Sequence, residues 1–524
     1  MTNENPISNV NHQINKREQK INRVIIGSWV LVAVFVSLLL IYTGFSAFNR
    51  NKMPGSLIYV LLVLLPLLVI GILSTLQYHR QQINGKTLLL TWTVLGVIVL
   101  VSFWLVNFES DDFTRYLADW CAQYRELGWQ ASFRQITTVS NYVPFYNYFL
   151  IVFANLLNTQ GCLYAIKYLT FIFSLGLALV MELIVAHVTH KKISYLHIAI
   201  FLLLPPVLME FTAWGQCDAI YTMFALLAFY FALKHRSVWC FVSLGLAFAI
   251  KLQFLFIAPI IFVMLIIRDT NGQKYLSWKW VWLAPLMYVI NLLPLFYGAH
   301  LWDLLSVYLV QTGSNYWFSE GCFNLPFLFY PISYYSPTET LLIKLMNLGM
   351  AIIGITITIV MLVLVLRARR RHVFTDLDLI RYALCFAMVM VYFMPKMHER
   401  FYFIAFALSM IYFYSQNNKI NQLFCTLIST AFSLSLYTYL IACILNPWHG
   451  YFASGLSAFG YFKGIVVVFT NTVSYILGVG AMTAAVIWLM YPIIRDEIRH
   501  NVQVKNKSTI VNQNQNSTTY PDEK

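Results

Sequence analysis

Residues 56–77 read SLIYVLLVLLPLLVIGILSTLQ, a stretch without one charge, closed by Tyr78-His79-Arg80. A bilayer's hydrocarbon core is about 30 Å thick and takes about 20 apolar residues of α-helix to cross. The run therefore predicts a membrane-spanning helix, and the rest of the chain repeats it. Comparable runs lie near 24–47, 86–106, 162–187, 194–210, 217–234, 238–250, 253–267, 279–297, 341–366, 378–394, 400–415, 420–444 and 465–490. The expected fold is all-α and polytopic, with about fourteen transmembrane helices. Composition agrees: 59% of the 524 residues are hydrophobic and 11% charged, and mean hydropathy is +0.67. Soluble domains carry roughly 25% charged residues.

The formal net charge of +14 would suit a nucleic-acid partner in a soluble chain. In this one it reads as cytoplasmic loops loaded with Lys and Arg, so no nucleic acid is expected. Lys16, Arg17, Lys20 and Arg23 precede the first run and predict a cytoplasmic N-terminus. Alternation from there puts Arg80 and Lys86, Lys191 and Lys192, Lys234 and Arg236, Arg268 and Lys274, Arg367 to Arg371, and Arg495 and Arg499 all inside. Merging 238–250 with 253–267 would send the Arg367–Arg371 cluster outside, so two short helices are expected there. The first run is too long for a signal-peptide core and is expected to stay as an anchor. Eight cysteines are scattered singly, with no zinc-type or disulfide spacing.

The same alternation places 107–148, 300–339 and the turn 395–400 on the outer side. The first two are long and rich in Trp, Tyr and Phe, which predicts short juxtamembrane helices rather than disorder. The chain thus divides into a cytoplasmic tail (1–23), two extra N-terminal helices (24–85) and a transmembrane module (86–297). A second outer loop (298–340), a C-terminal transmembrane module (341–494) and a disordered cytoplasmic tail (495–524) follow.

Four polar segments interrupt the apolar pattern on that outer side. Glu109-Ser110-Asp111-Asp112-Phe113 puts a carboxylate pair at a helix exit, where a substrate with its tail in lipid presents its head; solvated, idle acids are the plainer reading. Trp214-Gly215-Gln216-Cys217-Asp218 sets a carboxylate near the interface, either functional or capping the next helix. Lys251-Leu252-Gln253 breaks a long apolar run; Lys251 either snorkels as an anchor or meets an anionic head group. Pro395-Lys396-Met397-His398-Glu399-Arg400-Phe401 carries cations on the face that the positive-inside bias disfavours, and a phosphate ligand would account for them. No second His follows His398-Glu399, which excludes an HExxH zinc site, and no P-loop is present.

Taken in order, these segments resemble the GT-C superfamily of polytopic glycosyltransferases. They look most like bacterial relatives of the transferase that adds the second mannose to the glycosylphosphatidylinositol anchor. Asp112-Phe113 with Tyr116-Leu117 and Trp120 is similar to that family's acidic first loop, and Ser140 to Tyr146 to the aromatic-proline stretch closing it. Trp214 to Asp218, Lys251-Leu252-Gln253, Gln311 with Asn324, and Met397 to Phe401 resemble further family elements, over roughly residues 101–403.

The resemblance implies inverting transfer of a mannose-like hexose from a polyprenyl-phosphate donor to a hydroxyl of a glycan or glycolipid acceptor. Asp112 would be the general base, with Asp111 as fallback. Lys251, His398 and Arg400 would hold phosphate. Asp218, Glu399, Trp214, Gln216, Gln253, Gln311, Asn324 and Tyr142 would bind substrate. Some members use a divalent cation, for which Asp111, Asp112 and Asp218 would be the ligands; no cofactor is certain.

Other readings are a lipid-linked glycan transporter or flippase, a glycan polymerase or ligase, and a membrane scaffold. A transporter predicts ionisable groups near the midplane, a polymerase the same outer site with a larger donor, and a scaffold gives no reason for the aromatic loops. The expected setting is a bacterial plasma membrane with both termini cytoplasmic. Single cysteines placed beside Asp112 and beside Arg400 should react with an impermeant maleimide from the same side of sealed vesicles; reaction from opposite sides would dissolve the shared site.

Overall fold

The computed structural model describes residues 54–110, 112–293, 307–308, 319, 321–329, 340–445 and 474–517. These residues are helical throughout, with no strand; two isolated bridges pair Arg268 with Lys274 and Gly321 with His398. Helices α1 (Pro54–His79) and α2 (Gly85–Leu105) form a hairpin. It is locked where Trp92 Nε1 donates to Thr75 Oγ1 at 3.2 Å and the Trp92 ring lies against Gly71.

The segment that follows carries α3 (Ala118–Arg134), α4 (Ile136–Val139) and α5 (Pro144–Leu156). Gly128, at φ 69°, kinks α3. Helix α6 (Thr159–Thr189) is capped by Asn158, whose side chain accepts from Gly161 N. Helix α7 (Tyr195–Leu203) breaks at Pro205-Pro206 and continues, bent by 65°, through α8 (Pro205–Met209) to Trp214. Pro cannot donate to the preceding turn and pushes its predecessor out of helix, which accounts for the bend.

Next come α9 (Asp218–Leu233), α10 (Ser237–Phe248), α11 (Ala258–Ile266), α12 (Leu283–Leu292) and α13 (Leu325–Phe329). The long α14 (Thr340–Arg369), α15 (Asp376–Phe393), α16 (Phe403–Ser415), α17 (Lys419–Leu445) and α18 (Ser474–Ser517) complete the described chain. A reciprocal cap between Thr375 and Asp378 starts α15.

Among the described residues, five helical segments are long and apolar enough to cross a membrane, namely Ser56–His79, Gly85–Leu105, Thr159–Thr189, Leu341–Arg369 and Ile476–Gln503. The bent pair Tyr195–Leu203 and Pro205–Trp214 makes a sixth if counted as one span. This is an integral-membrane architecture with fewer full-length spans among the described residues than the fourteen apolar runs suggest. Several of those runs are helical but short. At 1.5 Å per residue, the 16 residues of α9 reach about 24 Å against a core of about 30 Å.

Helices α9 and α16 are instead packed almost wholly inside the bundle, so their apolar character serves a core as much as a bilayer. The pair expected around Lys251 is indeed divided, because Lys251 is extended (φ −156°, ψ 141°) between α10 and a 3₁₀ turn, Leu252–Phe256. The expected first span, 24–47, lies outside the described residues. The tail expected to be disordered from 495 onward is helix through Ser517. Once a helix is nucleated in its apolar stretch, each further residue adds a hydrogen bond at little cost.

The basic loops gather at one end of the bundle. His187 Nε2 lies 3.4 Å from Asp376 Oδ2, Tyr275 donates to Asp376 Oδ1 at 2.9 Å, and His235 stacks on Tyr275. Arg369 donates to Arg268 O, and Arg371 pairs with Glu497. Asp376 opens α15 and Lys234 follows α9, so the other ends of these two helices, near Phe393 and Asp218, lie opposite. Helix α10 meets α12 through Gly245, where a Cβ would come 2.5 Å from Ala284 O and 2.7 Å from Met287 Cβ. Gly245→Ala should cost about 1–3 kcal/mol by overpacking and lower the detergent Tm. Gly349→Ala in α14, with nothing within 4 Å of the added carbon, should leave the Tm unchanged.

Candidate active site

The end opposite the basic loops is built by three chain segments that α6 holds together. The chain leaves α2 at Leu105 and re-enters helix through a widened turn, Phe113–Leu117, whose first bond runs from Ala118 N to Phe113 O. Ser110 ties that exit to the next segment, donating from Oγ to Trp214 O at 3.0 Å and accepting from Phe113 N at 3.2 Å. A second widened turn, Glu210–Trp214, ends at Gly215, whose N donates to Glu210 O at 2.7 Å. Gly215 sits at φ 72°, a conformation that glycine adopts without penalty. Such widened turns recur at functional sites.

These turns bring Asp112 under a set of donors. Its Oδ2 accepts from Trp214 Nε1 and Gln216 Nε2, both at 2.8 Å, and lies 3.2 Å from Arg400 Nη1. Asp218 opens α9, where the helix dipole favours a carboxylate, and is fully buried. Its Oδ1 takes Lys251 Nζ at 2.7 Å, while Oδ2 lies 3.3 Å from Arg400 Nε without the alignment of a hydrogen bond. Arg400 Nη1 donates to Glu399 Oε1 at 2.9 Å, and the guanidinium lies over the Trp214 ring. Lys251 lies near the faces of Tyr221 and Phe401. One buried guanidinium thus joins the carboxylates of three segments.

Burial by itself would raise the Asp112 carboxyl. The Arg400 guanidinium, the Trp214 and Gln216 hydrogen bonds and the charge of His398 outweigh it, holding the group below the ordinary aspartate value of 3.8. Burial would likewise strip the Lys251 ammonium of its proton, but Asp218 reverses this and holds it above the ordinary lysine value.

An aromatic wall stands beside the cluster. Tyr142 donates to Gln216 Oε1 at 3.3 Å, its ring meets that of Trp120 at 5.3 Å, and Tyr116 and Tyr146 extend the row.

Asp112, Trp214, Gln216, Asp218, Lys251, Glu399, Arg400 and Tyr142 are therefore brought together from distant positions. His398 adjoins them, 3.8 Å from Glu399 Oε2 and bridged to Gly321. Gln253 points a buried Oε1 that has no hydrogen-bond partner. Asn324 is buried but holds backbone: it donates to Val391 O and Met394 O and accepts from Phe327 N and Ser319 Oγ. Through these bonds Asn324 fastens the segment 321–329 to the end of α15, and none of them reaches the Asp112–Arg400 cluster. Asp111 and Gln311 lie outside the described residues.

Comparison of the chain with protein families, with curated proteins and with solved structures finds no match.

Two residues of the site were not singled out in the sequence. Glu210 is buried, accepts from Asp218 N at 3.2 Å, and leaves Oε2 without a partner. Lys167, buried on α6, donates to the carbonyls at the α2 exit. Both had a signal: an ionisable side chain inside an apolar run.

Of the residues named for a divalent cation, Asp111 lies outside the described residues. Among the described residues no group of three or more His, Cys, Asp and Glu converges as a metal site. The place between Asp112 and Asp218 is taken by the Arg400 guanidinium.

Because the folded Asp112 carboxyl titrates below its ordinary value, its stability contribution is whole above 3.8 and is lost as pH falls through the lower, folded value. The Tm difference between wild type and Asp112→Asn should therefore stay constant from neutral pH down to about 5 and shrink below about 4. A difference that shrinks already at neutral pH would contradict this electrostatic picture.

Proposed function

We propose that this chain is a membrane glycosyltransferase. It moves a hexose, mannose-like by resemblance, from a polyprenyl-phosphate donor to a hydroxyl of a glycan or glycolipid acceptor, with inversion at the anomeric carbon. The observation that carries the reading is the Asp112 carboxylate, fixed through Oδ2 by Trp214, Gln216 and Arg400 at the bundle end opposite the basic loops. By the positive-inside rule that end is the outer face, and both termini are cytoplasmic. The setting that suits it is a bacterial plasma membrane, with the remaining short apolar helices completing the fourteen-helix count.

Chemically, Asp112 Oδ1 faces the acceptor hydroxyl. The hydroxyl oxygen bonds to the anomeric carbon as the carbon–oxygen bond to phosphate breaks. The proton passes to Asp112, and the lipid phosphate leaves as a stable anion that needs no acid. A carboxylate with a lowered pKa is a weak base towards a free alcohol. It becomes an adequate one once the attacking oxygen is partly bonded to carbon and therefore acidic.

Lys251 and Arg400 are largely neutralised by Asp112, Asp218 and Glu399. Their task in this scheme is to hold the carboxylates, while His398, partly exposed beside Glu399, meets the phosphate. Tyr142 and Trp120 offer faces on which a pyranose stacks, and Asp218, Gln216, Gln253 and Glu399 remain to bind hydroxyls.

Purified protein in lipid, given radiolabelled polyprenyl-phosphate mannose, glucose and related donors with a hydroxyl acceptor, should transfer sugar. Asp112→Asn should lower kcat about 10²–10⁴-fold with the detergent elution profile unchanged. Full activity in Asp112→Asn would remove the base from this residue. Movement of an intact lipid-linked sugar across vesicles without transfer would favour a flippase.

A further inference from the structure

Lys167 lies in the apolar run of α6 and is fully buried. An ammonium in such a place is costly unless its charge and all its hydrogens are met. Among the described residues it forms no ion pair. Its partners are three carbonyl oxygens: Leu105 O at 3.2 Å, Val106 O at 2.8 Å and Phe108 O at 2.6 Å. These belong to the end of α2 and the turn beyond it, where the helix dipole favours a cation; Leu105 O also accepts from Phe108 N at 3.0 Å, so Lys167 is its second donor. An ammonium has three donors, so none is left for a phosphate, which distinguishes Lys167 from a ligand-binding lysine.

The same side chain touches the second half of the site. A Cβ on Gly215 would lie 3.4 Å from Lys167 Cγ and 3.3 Å from Ile166 Cγ2. Gly215 stands between Trp214 and Gln216, the two hydrogen-bond donors to Asp112. One turn to either side on α6, Tyr164 donates to Asn107 Oδ1 at 2.6 Å, and Thr170 Oγ1 donates to Gln216 O at 2.9 Å. Residues 164, 167 and 170 share one helix face, and that face grips both the exit carrying Asp112 and the turn carrying its donors.

We propose that Lys167 is a positioning residue: by clasping the α2 exit to α6 beside Gly215, it sets where Asp112 stands relative to Trp214, Gln216 and Arg400. Its kinetic consequence rests on the glycosyl-transfer reading; its structural consequence does not. Misplacement by about 1 Å of a group at the reacting centre can cost about 10²-fold in rate. The effect falls on kcat, because Lys167 touches no substrate.

The test uses the full chain in lipid with Lys167→Met, which keeps the length of the stem and removes the donors. Transfer from polyprenyl-phosphate mannose should lose about 100-fold in kcat with KM for the donor within about threefold. The acid limb of the pH–rate profile should move up, toward ordinary aspartate. Backbone amide exchange should rise in 106–114 and not in α9. Tyr164→Phe and Thr170→Val, each removing one hydrogen bond to the clasped segments and one within α6, should give smaller losses of the same kind and carry the test if Lys167→Met does not accumulate folded.

Wild-type kcat together with unchanged exchange would overturn the proposal, as would a rise in exchange spread evenly over all helices. If the wild-type chain transfers no sugar, the enzymatic reading fails while the exchange measurement still decides the clasp.

Discussion

The polar end of this protein opposite the basic loops depends on keeping one guanidinium charged and out of water. Arg400 is almost wholly buried, and a lone buried charge is among the costliest things a fold can contain. Asp112, Asp218 and Glu399 offset that cost from three directions. The compensation works both ways, since removing Arg400 would leave three buried carboxylates to share the one ammonium of Lys251. That mutual need is what makes residues more than a hundred positions apart converge, and it gives the cluster a single arrangement.

The scaffold around the cluster is organised for the same end. Helix breaks fall where the polar groups must be delivered: Pro205-Pro206 bends the chain toward Glu210 and Trp214, Gly215 reverses it into Asp218, and the extended Lys251 interrupts α10 and the following turn. At the turn preceding α16, Lys396 adopts a positive φ of 59°, a backbone state uncommon for a long side chain. Backbone strain of this kind persists where the surroundings over-determine it; here Ser435 donates to Gly321 O and Glu399 O beside it.

Much of this was legible in the residues alone, and the reasons for the rest are physical. Apolar length identified a helical membrane protein, and the polar interruptions at Asp112, Trp214 to Asp218, Lys251 and Arg400 pointed to the segments that meet. Length alone could not separate a helix that crosses lipid from one buried among other helices. Runs such as 217–234 and 400–415 form α9 and α16, apolar helices shorter than a full span and enclosed by their neighbours. The bonds that Asn324 makes to Val391 O, Met394 O, Phe327 N and Ser319 Oγ depend on a chain path that residue type does not display. Glu210 and Lys167 were passed over because they sat within runs read only for their hydropathy. The helix continuing through the polar tail followed from propagation, which composition does not display.

The two widened turns give the site a particular kind of fragility. Each houses one residue more than an ordinary α-turn, and losing that residue would let the ladder close up regularly. Everything beyond the excision would then rotate by about 100°, swinging the Trp214 indole or the Asp112 carboxyl away from its mate. The spans themselves would be little disturbed. A lineage of such proteins can therefore discard its chemistry by a single in-frame codon loss and still insert a sound helical bundle.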